Sequence, residues 1–138
     1  FNAALGLLQL KNIDENIKKR RKVDAKYREE LKNITGIRCH IQSKTGKSNY
    51  SYFPIFIDKT YPLSRDQLYE KLKKNGVYAR RYWYPLITDF SIFKNVTSER
   101  KEDFTNSKKV ADSVICLPIY PELSFENIQL ITSLIKSN

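Results

Sequence analysis

The stretch Tyr50-Ser51-Tyr52-Phe53-Pro54-Ile55-Phe56-Ile57-Asp58 is the clearest β-strand of the chain and decides its fold. Side chains alternate between the two faces of a strand. One face carries Phe53, Ile55 and Ile57, and we expect this face to contact the hydrophobic core. The opposite face carries Tyr50, Tyr52 and Phe56. Because Pro54 has no amide hydrogen for a neighbouring strand, we expect this strand at a sheet edge or at a bulge.

A capped helix follows this strand. Ser64 is a favoured N-cap residue, and Gln67 three positions later completes a capping box. Asn75-Gly76 predicts the end of the helix, because glycine readily adopts the left-handed conformation that closes many helices. Val77 then begins a predicted strand that carries Arg80 to Leu86.

The C-terminal part of the chain predicts a loop, two helices and a short strand. Thr88 to Arg100 has the composition of a polar loop. The candidate anchors of this loop are Phe90, Ile92 and Phe93. Phe104 to Val114 is a predicted helix, and Ile115-Cys116-Leu117 is a short buried strand that ends at Pro118. The last helix starts at Ser124, and its inner face carries Ile128, Ile131 and Ile135.

The N-terminal part predicts a long helix over about residues 2–35, with apolar residues at helical spacing from Leu10 to Ile34. Gly36 suits the C-terminal cap of this helix, and Ile37 to Ile41 is a predicted strand. The order is long helix, two strands, helix, strand, helix, short strand, helix. This order predicts an α+β domain, with a small mixed or antiparallel sheet and helices packed on one side.

The opening segment, Phe1 to Leu10, is apolar nearly all round, and no capping residue precedes it. A helix that is apolar on every side is normally buried on every side. We therefore expect residues 1–138 to be cut from a longer chain, with this segment packed against the missing part or against a second subunit. The alternative is an N-terminal helix that is buried within this domain.

The composition predicts one domain, residues 1–138, with a basic surface. Hydrophobic residues make up 41%, enough for a single core, and the formal net charge is +10. That charge favours an anionic partner, which would be nucleic acid, a membrane surface or a phosphorylated small molecule. The basic residues are dispersed apart from Lys18 to Lys22, so charge alone selects none of these partners. Cys39 and Cys116 lack metal-ligand spacing, which favours free thiols in a reducing cytoplasm.

The candidate functional site is the run Arg80-Arg81-Tyr82-Trp83-Tyr84-Pro85-Leu86. A guanidinium group offers a planar fork of donors for phosphate or carboxylate, and tyrosine offers a ring with a terminal hydroxyl. On a strand, Arg80 would share one face with Tyr82 and Tyr84, and this face would meet a polar anionic ligand. Arg81 and Trp83 would then lie on the other face and pack. The alternative is a core or interface strand whose arginines are solvated or salt-bridged.

The sequence shows no complete catalytic machinery. The chain contains 4 glycines, and none of them forms a G-x-G-x-x-G or P-loop array for phosphate. His40 is the only histidine, so a histidine-rich metal site cannot be assembled, and the sequence gives no reason to propose a Ser-His-Asp set around it. No run approaches the ~20 apolar residues of a membrane span.

Two groups of landmarks follow one another in order along nearly the whole chain. The first group is Ala3-Ala4-Leu5-Gly6-Leu7-Leu8-Gln9-Leu10, Ile13-Asp14, Arg21 and Ala25-x-Tyr27. The second group is Tyr52-Phe53-Pro54-Ile55, Arg65-Asp66-x-Leu68, Gly76-Val77 and Leu117-Pro118-Ile119-Tyr120-Pro121-x-Leu123-Ser124. Together they resemble the C-terminal domain of the DegT/DnrJ/StrS family, whose members are pyridoxal-phosphate-dependent aminotransferases of nucleotide-linked keto-sugars.

The resemblance implies the fold of type I pyridoxal-phosphate-dependent transferases, in which a large domain precedes this small one. It also implies a homodimer with active sites at the subunit interface. The Schiff-base lysine and most cofactor contacts would lie in the large domain, so we expect no catalytic residue, no bound cofactor and no activity in this chain alone. The implied partners are the large domain, a second subunit, a nucleotide-diphosphate sugar and an amino-acid donor, normally glutamate. Neither nucleic acid nor a membrane is expected.

The candidate site departs from the family pattern. Many members carry a His-Tyr-Pro run and a second histidine, where this chain has Tyr82-Trp83-Tyr84 and Ile87. The version from Ala79 to Ile87 resembles members that aminate dTDP-linked 6-deoxy keto-sugars. For such a substrate, Arg80 or Arg81 would pair with a phosphate or with the carboxylate of the amino donor. Tyr82 and Tyr84 would hydrogen-bond the sugar or close the site from above.

Three other functions stay open on the sequence. A dehydratase of the same family would use the same cofactor on a related sugar. A basic α+β module would bind nucleic acid by stacking bases on Tyr and Trp beside Arg. That module is disfavoured because the basic residues do not concentrate around the aromatic run and no RNA-binding motif appears. A scaffold or regulator would keep the aminotransferase fold without catalysis.

Overall fold

The computed structural model describes residues 1–42, 45–93 and 104–137. In chain order its elements are α1 (Asn2–Leu31), β1 (Ile37–Cys39), β2 (Phe53–Ile57), α2 (Arg65–Lys74), two short 3-10 helices (Ile87–Asp89 and Ser91–Phe93), α3 (Thr105–Ser113), β3 (Val114–Leu117) and α4 (Phe125–Lys136). The predicted α+β class is confirmed, and the sheet formed by these strands is antiparallel throughout.

The strand β2 lies at the centre of the sheet, in the order β1-β2-β3. The prediction that Pro54 marks a sheet edge or a bulge is therefore wrong, because β2 pairs in continuous register on both sides. The missing proline donor would face the carbonyl of His40, just beyond the end of β1, where the amide of His40 donates to the Pro54 carbonyl at 3.2 Å. The His40 carbonyl accepts instead from the Arg28 guanidinium at 2.8 Å. A side chain thus replaces the one ladder bond that proline removes on this side.

The hydrophobic core lies on one face of the sheet, against α1, α2 and α4. The predicted inner face of β2 is confirmed, because Phe53, Ile55 and Ile57 are all buried. The three helices contribute Val23, Tyr27, Leu31, Leu68, Leu72, Ile128, Ile131 and Ile135 to the same core. Tyr27 stacks on Phe53 with ring centroids 4.8 Å apart. Residues 77–86, which follow α2, start from this packed layer.

The boundaries of α2 follow its predicted caps. The hydroxyl of Ser64 accepts from the Gln67 amide at 3.3 Å, and the Gln67 side chain accepts from the Ser64 amide at 2.8 Å. At the other end Gly76 has a φ of +77°, and the Val77 amide reaches back to the Leu72 carbonyl at 2.9 Å. These bonds satisfy groups that a helix end leaves without partners. They also set the direction in which residues 77–86 leave the helix.

The helix α1 ends at Leu31, four residues before the predicted end at 35, and Gly36 is not its cap. Gly36 instead begins the turn into β1, where its carbonyl accepts from the Asp58 amide at 2.9 Å. Its φ is +80°, and a Cβ atom added there would lie 2.2 Å from the backbone nitrogen of Tyr61. Glycine is therefore required at this position both for its conformation and for this close contact.

The first half of α1 projects its leucines away from the core. Leu5, Leu8 and Leu10 are 53%, 58% and 65% exposed, whereas burial along the helix begins at Val23. The alternative of an N-terminal helix that is buried within this domain is therefore wrong. That the rest of a longer chain or a second subunit covers these leucines stays a prediction.

The residues after the candidate site do not anchor the loop as expected. Phe90, Ile92 and Phe93 are 49%, 77% and 42% exposed, because this stretch forms short 3-10 helices on the surface. The remainder of the predicted loop, residues 94–100, lies outside the described residues. The helix expected from Phe104 to Val114 is α3, and Val114 already belongs to the fully buried strand β3.

Candidate functional site

The backbone of the candidate site starts as a strand and then turns. Arg80 forms an isolated bridge to Cys116, with amide-to-carbonyl distances of 2.9 and 2.7 Å in the two directions. Residues 82 and 83 form a turn, so the predicted strand does not continue through Tyr84. The expected alternation of faces along this run is therefore wrong, and tertiary contacts decide where each side chain lies.

The side chain of Arg81 is half-buried, and its contacts are with other residues of this chain. One of its terminal nitrogens lies 2.8 Å from an oxygen of Asp66, at the start of α2. Its guanidinium carbon lies 4.4 Å from the ring centroid of Tyr69 and 5.4 Å from that of Tyr84. A cation at such a distance is attracted to the face of an aromatic ring. Arg81 thereby connects α2 to the end of the candidate run.

Arg65 contacts two of the same residues, Asp66 and Tyr84. It is only 6% exposed, and it donates to the Ala111 carbonyl at 2.7 Å. Its Nε atom lies 2.8 Å from Asp66, and its guanidinium carbon lies 4.2 Å from the ring centroid of Tyr84. We call Arg65, Asp66, Tyr69, Arg81 and Tyr84 the arginine–aromatic cluster.

The electrostatics of the arginine–aromatic cluster favour the ionised carboxylate. Partial burial of Asp66 favours the neutral acid, but the hydrogen bond from Arg81 and the charge of Arg65 outweigh it and lower the pKa of Asp66. The hydrogen bond to Asp66 correspondingly raises the pKa of Arg81. Both guanidinium groups therefore share one carboxylate at neutral pH.

Arg80 differs from Arg81 in its exposure and in the contacts of its guanidinium group. Its side chain is exposed, and within residues 1–42, 45–93 and 104–137 its guanidinium makes neither an ion pair nor a hydrogen bond. Its backbone is fixed by the bridge to Cys116, whose thiol is buried enough to raise its pKa to about 11. Arg80 thus combines a fixed main chain with a guanidinium that is open to an external anion.

Aromatic rings extend the site on the other side of the turn. The Tyr82 ring meets Tyr52 edge to face with centroids 5.5 Å apart, and its centroid lies 4.8 Å from that of Trp83. Trp83 and Tyr52 are 71% and 55% exposed. This surface offers flat rings with phenol hydroxyls at the edge, an arrangement that suits a hydroxyl-rich ligand.

The structure brings two of the four predicted site residues, Arg81 and Tyr84, into direct contact. Both belong to the arginine–aromatic cluster, whereas Tyr82 contacts Tyr52 and Trp83, and Arg80 contacts neither group with its side chain. Arg65, Asp66 and Tyr69 were not predicted as site residues. The available signal was the landmark Arg65-Asp66 directly after a strong N-cap, since an acid in the first helical turn is stabilised by the helix dipole.

Other kinds of site find no support in the described part of the chain. No group of His, Cys, Asp and Glu side chains there is placed to bind a metal ion. Among the same residues no helix has both the length and the apolar character needed to cross a membrane.

The comparisons with known proteins agree with the fold and the motifs. The sequence profile of the DegT/DnrJ/EryC1/StrS aminotransferase family matches residues 1–136. The chain is 45% identical over 135 residues to the dTDP-4-amino-4,6-dideoxy-D-glucose transaminase of Escherichia coli, covering 98% of this chain and 36% of that protein. It is 28% identical to the GDP-perosamine synthase of Vibrio cholerae, covering 98% of this chain and 36% of that protein.

A solved structure also has a similar fold. The crystal structure of DesI with its TDP-sugar product matches with a TM-score of 0.88 and 26% sequence identity, covering 97% of this chain and 34% of that chain. The chain belongs to the DegT/DnrJ/EryC1/StrS aminotransferase family. It spans 36% of the length of its E. coli relative, so an activity of such a relative involves much more protein than these residues.

The cofactor of the family does not fit the described residues alone. Pyridoxal phosphate would form a Schiff base with a lysine amine, and desolvation in a pocket is one way in which a protein activates that amine. Every lysine in the described ranges is exposed or half-buried. Asp66, the acid nearest to the candidate site residues, already pairs with Arg65 and Arg81. The expectation that the catalytic lysine lies outside this chain stays a prediction.

Proposed function

We propose that this chain is the C-terminal small domain of a cytoplasmic, homodimeric, pyridoxal-phosphate-dependent aminotransferase. The enzyme would transfer an amino group from glutamate to a dTDP-linked 6-deoxy keto-sugar. The observation that carries this proposal is the 45% identity to a dTDP-4-amino-4,6-dideoxy-D-glucose transaminase over 98% of the chain. The identity to the GDP-perosamine synthase is lower, at 28%, and this difference favours the dTDP-linked class.

The candidate site residues have separate roles in this proposal. Arg80 binds an anionic group of a substrate, either the diphosphate of the nucleotide sugar or the carboxylate of the donor, because its guanidinium is exposed. Tyr82 and Tyr84 present hydroxyls to the sugar. Arg81 adds positive charge at the same surface while it contacts the Tyr84 ring.

The proposed activity is tested with the full-length protein, its cofactor, dTDP-4-keto-6-deoxy-D-glucose and nitrogen-labelled glutamate. We expect formation of 2-oxoglutarate and transfer of the labelled nitrogen to the sugar. A dehydratase would remove a hydroxyl group and leave the label on glutamate. Residues 1–138 alone are the matched control, and we expect them to give neither product. Turnover by this control would contradict the assignment of the catalytic groups to the rest of the protein.

The proposed partners are tested separately from the chemistry. Sedimentation of the full-length protein is expected to give the mass of a dimer, and a monomer that retains full activity would exclude an active site at a subunit interface. Titration with a single-stranded oligonucleotide at moderate salt is expected to show no binding. A strong affinity that falls with salt would favour the nucleic-acid-binding module instead.

A further inference from the structure

The pair Arg65–Asp66 connects the hydrophobic core to the candidate site. Ser64 caps α2, so the position of Arg65 in the first turn is fixed. The buried Arg65 then binds the Ala111 carbonyl, at the far end of α3. Asp66 lies on the exposed side of the same turn and reaches Arg81. The first turn of α2 therefore contacts the site without belonging to the run that was predicted to bind substrate.

Asp66 supplies the negative charge between two cations. Both Arg65 and Arg81 lie within 2.8 Å of the same Asp66 oxygen. Both guanidinium groups also contact one ring, that of Tyr84, at 4.2 and 5.4 Å from its centroid. Without Asp66 the two cations would repel each other across Tyr84. Arg65 would keep its bond to Ala111, so Arg81 and the turn after it would move.

We propose that Asp66 is a positioning residue of the substrate site, which fixes Arg81 and Tyr84 and leaves Arg80 as the guanidinium that meets the anionic substrate. This inference rests on the proposed function for its kinetic consequences. The lowered pKa of Asp66 agrees with this geometry, because the carboxylate is then ionised at neutral pH. Asp66 acts through Arg81, so the two residues form one functional unit.

A double-mutant cycle in the full-length enzyme tests this unit. We expect Asp66→Ala to raise the apparent KM for the nucleotide sugar about fivefold, as for the loss of a partly exposed ion pair, with a smaller change in kcat. Arg81→Ala should have a similar effect, and the double variant should be no worse than either single variant. Asp66→Glu should restore part of the loss. Glu70→Ala, an exposed acid on the same helix, is the matched control and should keep the KM of the wild type.

Hydrogen exchange gives a second readout that does not depend on turnover. We expect faster amide exchange in residues 81–86 of Asp66→Ala, with unchanged exchange in β2 and no change in Glu70→Ala. If Asp66→Ala fails to fold, Asp66→Asn removes the charge at nearly constant shape and should show the same two effects. Additive kinetic effects, or exchange equal to that of the wild type, would overturn the inference. Absence of amino transfer in the wild type would overturn the proposed function, while the exchange data would still decide the role of Asp66.

Discussion

The two halves of α1 have similar helical geometry and opposite surroundings. Val23, Tyr27 and Leu31 in the second half are 2%, 0% and 1% exposed, whereas Leu5 and Leu8 in the first half are more than half exposed. The second half contacts β1 and α4, and its Tyr27 stacks on Phe53 of β2, while the exposed first half extends beyond them. An apolar pattern thus predicts that a surface will be covered, but it does not say by which part of the protein.

The two adjacent arginines of the candidate site differ in the same way as the two halves of α1. Arg81 finds its partners within the domain, and the adjacent Arg80 does not among the described residues. Residues with internal partners stabilise this domain, and residues without them are available for contacts outside it. Substitutions in matched pairs separate the two classes.

The largest expected difference is between two leucines of α1. In residues 1–138, Leu31→Ala should lower the free energy of unfolding by about 2–5 kcal/mol, because it leaves a cavity in the core. Leu8→Ala should change it by less than about 0.5 kcal/mol. Urea unfolding followed by circular dichroism measures both values. Equal losses would remove the distinction between the two halves, whereas a larger loss for Leu8→Ala in the full-length protein would show that its first half is covered there.

Two glycines give the next largest contrast. Gly36→Ala should destabilise the domain by about 2–4 kcal/mol, because it combines a left-handed conformation with overpacking against Tyr61. Gly6→Ala lies in the exposed half of α1 with no atom within 4 Å of the new methyl group. It should stabilise the helix by up to about 1 kcal/mol, as expected from helix propensity. Thermal unfolding of the two variants in parallel tests the signs, and a stabilising Gly36→Ala would contradict the close contact.

The adjacent arginines should differ in their effect on stability, although both substitutions weaken substrate binding. In the full-length enzyme Arg80→Ala should weaken substrate binding by about 1.5–3 kcal/mol, the usual loss for a charged hydrogen bond, with unchanged unfolding. Arg81→Ala should lower the free energy of unfolding of residues 1–138 by up to about 1 kcal/mol, since its ion pair is partly exposed. Steady-state kinetics and urea titration measure the two effects. A purely structural role for the run predicts unchanged kinetics in Arg80→Ala.

The smallest expected effect is the dependence of stability on pH. Hydrogen bonds from Lys136 and, to a smaller extent, from Lys26 lower the pKa of Glu30. The pKa of Asp66 is lowered as well. Because the folded state holds these protons less tightly than the unfolded state, both groups stabilise the fold above their ordinary pKa values. This contribution should be lost as the pH falls below about 4, through the lower folded values.

Unfolding free energies measured from neutral to acid pH test this expectation. Glu30→Gln should flatten the decline, because it removes one of the groups that the folded state keeps ionised. Glu15→Gln, in the exposed half of α1, is the matched control and should leave the slope unchanged. A steeper decline in Glu30→Gln would contradict the assigned direction of the pKa shift.

Local sequence patterns predicted the parts of the fold that local interactions determine. Ser64 with Gln67 located the start of α2, and Ser124 located the start of α4, because each cap satisfies backbone donors a few residues away. The alternation in β2 located the core face for the same local reason. Pro54 misled the prediction, since the compensating donor is Arg28, which is distant in sequence and invisible to a local pattern.

The candidate site was only partly predictable for a related reason. The run from Arg80 to Tyr84 has a strand-like composition, yet its course depends on the contacts of Arg81 with Asp66 and Tyr69. These contacts join residues that are 15 and 12 positions apart, as 81 − 66 and 81 − 69, and no short spacing rule encodes them. Residue type identified the chemistry, and tertiary packing decided which arginine is available for it.

The buried thiol of Cys116 provides an intrinsic reporter for the edge of the site. The thiolate is the nucleophile that attacks alkylating reagents, and a pKa of about 11 together with burial suppresses that species in the folded chain. The amide and carbonyl of Cys116 both bind Arg80, so labelling of this sulfur follows the opening of the strand against which the candidate site is anchored. Cys39, half-buried on the outer strand β1, supplies the internal reference rate in the same sample.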